Sequence, residues 1–288
     1  MGILFRLIAL LPLWLLQGMG LVAGTLMSLL PNSRRRTAIR NVERCFPELA
    51  PRARRRLVRR ALIAELTTFL ETPMVWLCSE RRLLSLVRRE ENLALFDAAM
   101  RGGKGMLLLT IHMGSFEAGA IPLSARYRLA GIYKPQKGAL NDLSVQGRSR
   151  CQGILVPAVG GAGATLTRLL DQGYGCYIMP DQDPPEGRGI FAPFFGIAAH
   201  TPTLAQRLAQ ARAGLPVVLM WVERLPWARG FVIHFSAPSP GLFDPDPVKA
   251  ATSLNADLEK IVRSCPEQYW WGYKRFRRRP PGEAPFYD

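Results

Sequence analysis

His112 and Glu117 form a histidine–carboxylate pair that could carry out acid–base chemistry. The histidine follows an apolar run, Met106–Ile111, which predicts a short buried strand. A neutral imidazole can accept a proton near neutral pH, and a carboxylate can orient it. Residues five apart on one helix would point about 140° apart, so the chain must turn between them, as Gly114 permits. We therefore expect His112 to end a strand and Glu117 to lie past a turn, with the two side chains within hydrogen-bonding distance.

Polar side chains also follow two other predicted strands. Asp181 comes just after one apolar run and Lys134 just after another, and Arg148 and Arg150 lie on a polar helix nearby. Residues at strand ends in α/β domains tend to face the ligand crevice. The segment Phe191–Gly196 is too apolar for an exposed loop, and we expect it to wall an apolar pocket. A base, several cations and an apolar slot together suggest acyl transfer to a lipid.

Predicted strands and helices alternate along the chain. The strands are mostly continuous apolar runs, which is typical of a sheet covered on both faces. We expect an α/β fold with a mixed, mostly apolar central sheet flanked by helices. We divide the chain into an N-terminal membrane anchor, residues 1–35, and a catalytic domain, residues 36–288.

The composition points to an anionic partner. The chain has 288 residues, a formal net charge of +16 and a pI near 10.4, which suits nucleic acid, phospholipid headgroups or phosphorylated glycolipids. Its five cysteines are widely spaced without a CxxC, so a disulfide framework or zinc site is not expected. No further His or Cys is spaced to complete a metal site with His112. His200 and His234 are expected to be structural.

An uncharged stretch near the start of the chain suggests a membrane segment. Leu7–Leu30 has 24 residues without a charge, enough to cross a bilayer core of about 30 Å as one helix. A signal peptide and a buried amphipathic or interfacial helix are the competing interpretations. Arg34–Arg36 follow at once, which places the body of the protein on the cytoplasmic side. Eleven arginines in residues 34–60, on two predicted amphipathic helices, favour contact with a lipid surface.

Four sequence blocks resemble the bacterial late acyltransferases of lipid A, the lauroyl/myristoyl family related to glycerolipid acyltransferases. The first is His112-Met-Gly-Ser-Phe-Glu117, which matches the H-x4-[DE] motif of these enzymes. The others are Tyr133-Lys134-Pro135, Pro180-Asp181-Gln182 with Phe194-Phe195-Gly196, and Glu267-Gln268-Tyr269-Trp270-Trp271 followed by Lys274-Arg275-Phe276. The ordered set covers nearly the whole chain and is much more specific than the first motif alone.

The resemblance implies a glycerolipid-acyltransferase-like fold and an O-acyltransferase. His112 would be the general base, and Glu117 would orient it. The acyl donor would be a thioester of acyl carrier protein or CoA, and the acceptor a hydroxyl of a lipid A precursor. The family's functional arginine maps best to Arg150, with Arg148 as a close competitor. The remaining expected substrate-binding residues are Lys134, Asp181 and Gln182.

By the same resemblance, no metal or bound cofactor is expected, and the enzyme would act at the cytoplasmic side of a bacterial inner membrane. Two departures bear on the acceptor. Lys134 stands where the family usually has arginine, and Phe116 where tryptophan is common. The alternatives are another acceptor (a lysophospholipid, an aminolipid or another glycolipid), an acyl-thioester hydrolase, or a basic membrane- or nucleic-acid-binding protein.

Overall fold

The computed structural model describes residues 2–287, which form nine strands and eleven α-helices. The strands are β1 (Val87–Glu91), β2 (Met106–Thr110), β3 (Leu129–Tyr133), β4 (Ile154–Pro157), β5 (Gly175–Ile178), β6 (Gly189–Phe194), β7 (Ile197–Pro202), β8 (Val217–Arg224) and β9 (Phe231–Ser236). The helices are α1 (Gly2–Leu10), α2 (Leu13–Leu29), α3 (Ser33–Cys45), α4 (Pro51–Leu77), α5 (Glu80–Leu86), α6 (Leu93–Arg101), α7 (Glu117–Leu123), α8 (Ala139–Arg148), α9 (Ala162–Asp171), α10 (Leu204–Gln210) and α11 (Pro247–Ser264).

Seven of these strands form one mostly parallel sheet in the order β1-β9-β8-β2-β5-β3-β4. The strands β8, β2, β5, β3 and β4 run in one direction, while β9 pairs antiparallel with β8 and carries β1 beside it. The carboxyl ends of five strands therefore meet at one edge. This confirms the predicted α/β class with a mixed central sheet.

The middle strand β2 shows why the sheet needs helices on both faces. Its five residues are all buried, with Leu107 and Leu109 in one hydrophobic core and Met106 and Leu108 in the other. Side chains alternate between the faces of a strand, so both faces must be covered. An apolar run without polar alternation is the sequence pattern that this burial requires.

The apolar segment Phe191–Gly196, expected to wall an apolar pocket, contributes two rings to the core. It forms most of β6 and the turn of a two-stranded antiparallel hairpin with β7. Phe194 and Phe195 are buried; Phe194 packs against Tyr269, and Phe195 packs against Trp271 and Phe46. The segment is apolar because it belongs to the core.

The N-terminal stretch is not one helix. Pro12 separates α1 from α2, since proline lacks the N–H that a continuing helix needs, and the two helices meet at a bend of 118°. Between residues 2 and 287, no single helix has the length and hydropathy for a membrane span. The bent pair reaches them only when both helices are taken together, by length and composition alone. Leu7–Leu30 is therefore not the one continuous helix that was expected, and the membrane anchor and its boundary at residue 35 stay predictions.

Helix α2 packs antiparallel on α4 through two glycines. A side chain at Gly20 would collide with Thr67, and one at Gly24 with Ile63. Gly20 and Gly24 thus allow the two backbones to approach closely. Helix α4 continues through Pro73, which lies inside it.

Candidate functional site

His112 forms its closest polar contacts with Asp181. The ring Nδ1 lies 2.8 Å from Asp181 Oδ1, and the backbone N–H of His112 donates to Oδ2 at 3.1 Å. The Asp181 side chain is almost fully buried, whereas 16% of the His112 side chain is exposed. An ionised carboxylate only accepts hydrogen bonds, so Nδ1 carries the proton and the lone pair is on Nε2. The imidazole is thus oriented as a base that presents Nε2.

The sheet brings these two residues together. Strands β2 and β5 are parallel neighbours, with Leu109 opposite Ile178. His112 lies three residues after Leu109, and Asp181 lies three residues after Ile178. Both segments leave the sheet at the same edge. Parallel pairing of the two strands therefore brings His112 and Asp181 together.

Glu117 binds Arg148 instead of His112. It is the first residue of α7, and it accepts from Arg148 Nε at 3.0 and 3.1 Å, from Arg148 Nη2, and from Trp76 Nε1 at 3.0 Å. Burial would lower the pKa of the Arg148 guanidinium, but the adjacent Glu117 carboxylate outweighs burial and raises that pKa. Arg148 is therefore a fixed cation with about a quarter of its side chain exposed.

The turn between His112 and Glu117 confirms one expectation and corrects another. His112 follows a strand, and Glu117 lies past a turn in which Gly114 has φ +57°; a side chain there would collide with the Val222 carbonyl oxygen. The expected hydrogen bond between His112 and Glu117 is not formed within residues 2–287. Asp181 already occupies the Nδ1 position, and the carboxylate of Glu117 faces α8 and α4.

Aromatic rings line the exposed side of His112. The Phe116 and Trp270 rings lie 5.0 and 5.3 Å from the imidazole, centroid to centroid, and Phe69 stacks on Trp270 at 5.1 Å. Trp270 Nε1 is buried without a hydrogen-bond partner in the described part of the chain. These rings restrict the imidazole and give the site an apolar wall.

The C-terminal segment holds the His112 turn in place. The backbone N–H of Gly114 donates to the Gln268 carbonyl at 3.0 Å, and that of Trp270 donates to the His112 carbonyl at 3.3 Å. Between them, Met113 and Tyr269 form an antiparallel bridge. The Thr68 hydroxyl of α4 donates to the Gly114 carbonyl at 2.7 Å. The turn is thus fixed from two sides.

The remaining predicted residues occupy different positions. Lys134 is exposed at the carboxyl end of β3, and Gln182 is half-buried beside Asp181. Arg150 donates to the carbonyls of Val75 and Trp76 at 3.2 and 2.8 Å, which ties it to the end of α4. Arg148 therefore contacts the His112–Glu117 turn, and Arg150 contacts the backbone behind it.

Sequence reasoning gave no role to Trp270, Trp76 or Thr68. Trp270 lies within the C-terminal block that carried the resemblance, so a signal was present. Trp76 and Thr68 are on an arginine-rich amphipathic helix, where nothing in their local sequence marks them. Their contacts depend on how α4 packs against α7 and the His112 turn.

Comparison with known sequences gives a match over almost the whole chain. The family model described as bacterial lipid A biosynthesis acyltransferase matches residues 1–278. The lipid A biosynthesis lauroyltransferase of Escherichia coli (strain K12) is 28% identical over 286 residues, covering 98% of this chain and 91% of that protein. A lipid A biosynthesis acyltransferase of Haemophilus influenzae is 27% identical, covering 99% and 92%. The lipid A biosynthesis palmitoleoyltransferase of Escherichia coli (strain K12) is 25% identical, covering 89% and 84%.

Proposed function

The chain belongs to the bacterial lipid A biosynthesis acyltransferase family, and we propose that it transfers a fatty acyl chain from a thioester of acyl carrier protein or CoA to a hydroxyl of a lipid A precursor. The observation that carries the proposal is the His112–Asp181 pair. It combines a buried carboxylate on Nδ1 with an imidazole that is partly exposed. This is the arrangement that a general base acting on a hydroxyl requires.

His112 acts first as a base and then as an acid. Nε2 takes the proton of the acceptor hydroxyl while the oxygen attacks the thioester carbonyl carbon. The tetrahedral intermediate then collapses, the C–S bond breaks, and the departing sulfur receives the proton from Nε2. An ester and a free thiol result. Asp181 keeps the ring oriented and stabilises the imidazolium that forms between the two steps.

Arg148 supplies positive charge beside the same turn. The negative charge that develops on the carbonyl oxygen is stabilised by a cation that is already fixed in place, because no reorganisation is needed during the reaction. Glu117 is buried, and its carboxylate accepts hydrogen bonds from both Nε and Nη2 of Arg148, which fixes the guanidinium. We therefore assign Glu117 the role of positioning Arg148, and we assign Asp181 the role of orienting the base.

The basic residues around the site suit an acceptor with phosphate groups. Lys134 is exposed at the carboxyl edge of the sheet, where His112 also lies, and Gln182 follows Asp181 at that edge. We assign both to acceptor binding. A lysine offers a point charge instead of a planar fork, so it favours phosphate without fixing its orientation.

The protein would work at the cytoplasmic surface of the bacterial inner membrane. Helices α1 and α2 expose large apolar side chains, among them Leu7, Leu10 and Leu26. The first turns of α4 expose arginines such as Arg55 and Arg59, each worth about 1 kcal/mol near an anionic surface. Helices α1 and α2 would insert their apolar side chains into the bilayer while the arginines of α4 contact lipid phosphates.

The test is a transfer assay with purified protein, an acyl carrier protein thioester or acyl-CoA, and a lipid A precursor. We expect an acylated precursor detected by mass spectrometry, with a rate about 10³-fold lower for His112→Ala. Thioester loss at one rate with and without acceptor would identify a hydrolase instead. Lipid A from a strain lacking the protein should lack one acyl chain, and an unchanged lipid A would contradict the proposed acceptor.

A further inference from the structure

The turn between β8 and β9 holds a tryptophan in solvent. The Trp227 side chain is 91% exposed, and Trp227 and Ala228 both have left-handed backbone angles, φ +59° and +53°. Non-glycine residues rarely adopt this conformation, and strain of this kind tends to lie at functional sites. The turn is closed by Leu225 N–H donating to the Gly230 carbonyl at 2.9 Å. Trp227 buries little of its ring within the chain, so folding alone does not explain it.

The turn lies directly against helix α2. The backbone N–H of Ala228 donates to Gln17 Oε1 at 3.0 Å. Residues three or four positions apart are neighbours on the surface of a helix. Trp14 and Leu21 therefore lie on either side of Gln17 along the same face of α2. Both are exposed, at 65% and 53%. Trp14, Leu21 and Trp227 are thus exposed apolar side chains on two adjoining elements, and we call these three residues the Trp227 patch.

The Trp227 patch borders the edge of the sheet that carries the catalytic residues. Strands β8 and β2 are parallel neighbours, with Leu109 opposite Leu219. The turn that follows β8 and the His112 turn that follows β2 consequently leave the sheet at the same edge. A surface that binds the patch would hold the catalytic edge close to itself.

We propose that the Trp227 patch inserts into the headgroup region of an anionic phospholipid bilayer, which adds the β8–β9 turn to the contact assigned above to α1 and α2. Tryptophan is enriched at this depth because its ring is apolar and its N–H is polar. Arg229 on this turn and Arg88 on the adjacent strand β1 are both exposed, and Arg88 Nε donates to the Arg229 carbonyl at 2.7 Å. Guanidinium groups bind lipid phosphates. The inference rests on the proposed membrane association. It adds that the catalytic edge of the sheet faces the bilayer and that the Trp227 patch holds it there.

The experiment compares vesicle binding of two matched variants. Trp227→Asn removes the ring, and asparagine tolerates the left-handed conformation, so the fold should be preserved. Phe243→Ser removes another exposed aromatic ring that lies near the start of β8, at the opposite end of the strand. Binding to vesicles of phosphatidylglycerol and phosphatidylethanolamine is measured by cosedimentation. We expect Trp227→Asn to bind about tenfold more weakly than the parent, and Phe243→Ser to bind equally well.

Three results would overturn the inference. Parent-like vesicle binding by Trp227→Asn would do so, as would equal losses in the two variants. A Trp227-dependent dimer in solution, with vesicle binding unaffected, would assign the patch to a second copy of the chain. None of these depends on the acceptor, which is tested separately by the transfer assay in detergent with the parent protein.

A second, independent observation concerns a buried polar path from α2 to the His112 turn. Gln17 Nε2 donates to Glu71 Oε1 at 3.0 Å, and Arg224 donates to both Glu71 oxygens at 2.7 to 3.0 Å. Arg224 Nη2 also donates to Thr68 Oγ1 at 2.6 Å, and that hydroxyl donates to the Gly114 carbonyl at 2.7 Å. Glu71 is fully buried and Arg224 nearly so. A buried ion pair adds little net stability, so its placement here calls for another reason.

We infer that Thr68 is a positioning residue for the general base. Its hydroxyl is polarised by the Arg224 cation, which strengthens the bond to Gly114, two residues after His112. Glu71 compensates the charge of Arg224. The inference rests on the proposed role of His112.

Thr67 is a matched control for Thr68. Both are buried neighbours on α4, but the Thr67 hydroxyl contacts the Ile63 carbonyl of its own helix, whereas the Thr68 hydroxyl lies 3.0 Å from the Ala64 carbonyl of that helix and 2.7 Å from the Gly114 carbonyl. We expect Thr68→Val to lower kcat about tenfold at constant KM, Thr68→Ser to restore it, and Thr67→Val to behave like the parent. Amide exchange in residues 111–118 should accelerate in Thr68→Val alone, whether or not the acceptor is correct. Unchanged exchange there, or equal kcat for Thr68→Val and Thr67→Val, would overturn the inference.

Discussion

Two histidine–aspartate pairs lie at the same segment of the chain and differ in what they can do. Asp181 binds His112 Nδ1 at 2.8 Å, and Asp183 binds His200 Nδ1 at 2.9 Å. The residue types, ring atoms and distances are almost the same. A search for histidine–carboxylate pairs would return both.

The surroundings separate the two pairs. Only 7% of the His200 side chain is exposed, and a side chain at Gly189 would lie 2.8 Å from its Nε2, so this nitrogen faces the backbone. Arg278 donates to both oxygens of Asp183 at 3.0 Å, which compensates the carboxylate. The second pair fastens the β6–β7 hairpin to the segment after β5. A base therefore needs an accessible Nε2 and a carboxylate that serves it alone, in addition to the pairing itself.

The strongest test of this comparison replaces each histidine. We expect His112→Ala to lower kcat about 10³-fold, because the base is lost, and to lower the melting temperature by several degrees, because the buried Asp181 carboxylate loses its ring partner. His200→Ala should lower the melting temperature by several degrees and change kcat less than tenfold, because Asp183 and Arg278 lose a buried partner. Initial rates and thermal unfolding measure the two effects. Equal kcat losses would remove the distinction.

The aspartates should show the same division with smaller effects. Asp181→Asn should lower kcat about 10²-fold, because an amide can no longer fix the Nδ1–H tautomer or stabilise imidazolium. Asp183→Asn leaves Arg278 without its carboxylate and should destabilise the fold by about 1–3 kcal/mol. Chemical denaturation and transfer rates check this. A stability loss in Asp181→Asn larger than in Asp183→Asn would reverse the assignment.

The Glu117–Arg148 pair shares a property with each of the two histidine–aspartate pairs. Like His200–Asp183 it holds two segments of the chain together, and like His112–Asp181 it lies beside the His112 turn. Glu117→Gln and Arg148→Gln should each lower kcat about tenfold, and the double variant should lose no more than either one, because both remove the same fixed cation. The double-mutant cycle in kcat measures this. Additive losses would mean that Glu117 acts separately from Arg148.

The third histidine gives the smallest effect. His234 Nε2 lies 2.9 Å from Glu223 Oε2 across the neighbouring strands β9 and β8, where both side chains are partly exposed, and its ring stacks on Trp221. Exposed ion pairs contribute about 0–1 kcal/mol, so His234→Gln should change kcat less than twofold and the melting temperature by about 1–2 °C. A larger loss of activity would show that pairing alone selects functional histidines.

The sequence predicted the positions of site residues that directly follow a buried strand. The apolar run before His112 and the one before Asp181 predicted two strand ends, and parallel pairing of β2 with β5 was enough to join them. The partner of Glu117 could not be predicted in this way. It depends on how α8 packs against α7, and the local sequence of neither helix determines that contact.

The shape of the N-terminal helices could not be predicted for a different reason. Leu7–Leu30 has the length and hydropathy of a membrane span, but Pro12 gives a bend of 118°. Gly20 and Gly24 make close packing on α4 possible, and hydropathy does not reveal that contact. Hydropathy measures how apolar a segment is, and it does not distinguish burial in lipid from burial in protein.

The bridge between Met113 and Tyr269 has a consequence for protein synthesis. The His112 turn is closed by Gln268, Tyr269 and Trp270, which leave the ribosome long after the turn itself. Contacts between such distant segments form late and slow folding, since the intervening chain must first be ordered. A nascent chain can therefore bury the strands around His112 before the turn acquires its supports. The enzyme would then become active only late in folding, after the strands of the sheet have paired.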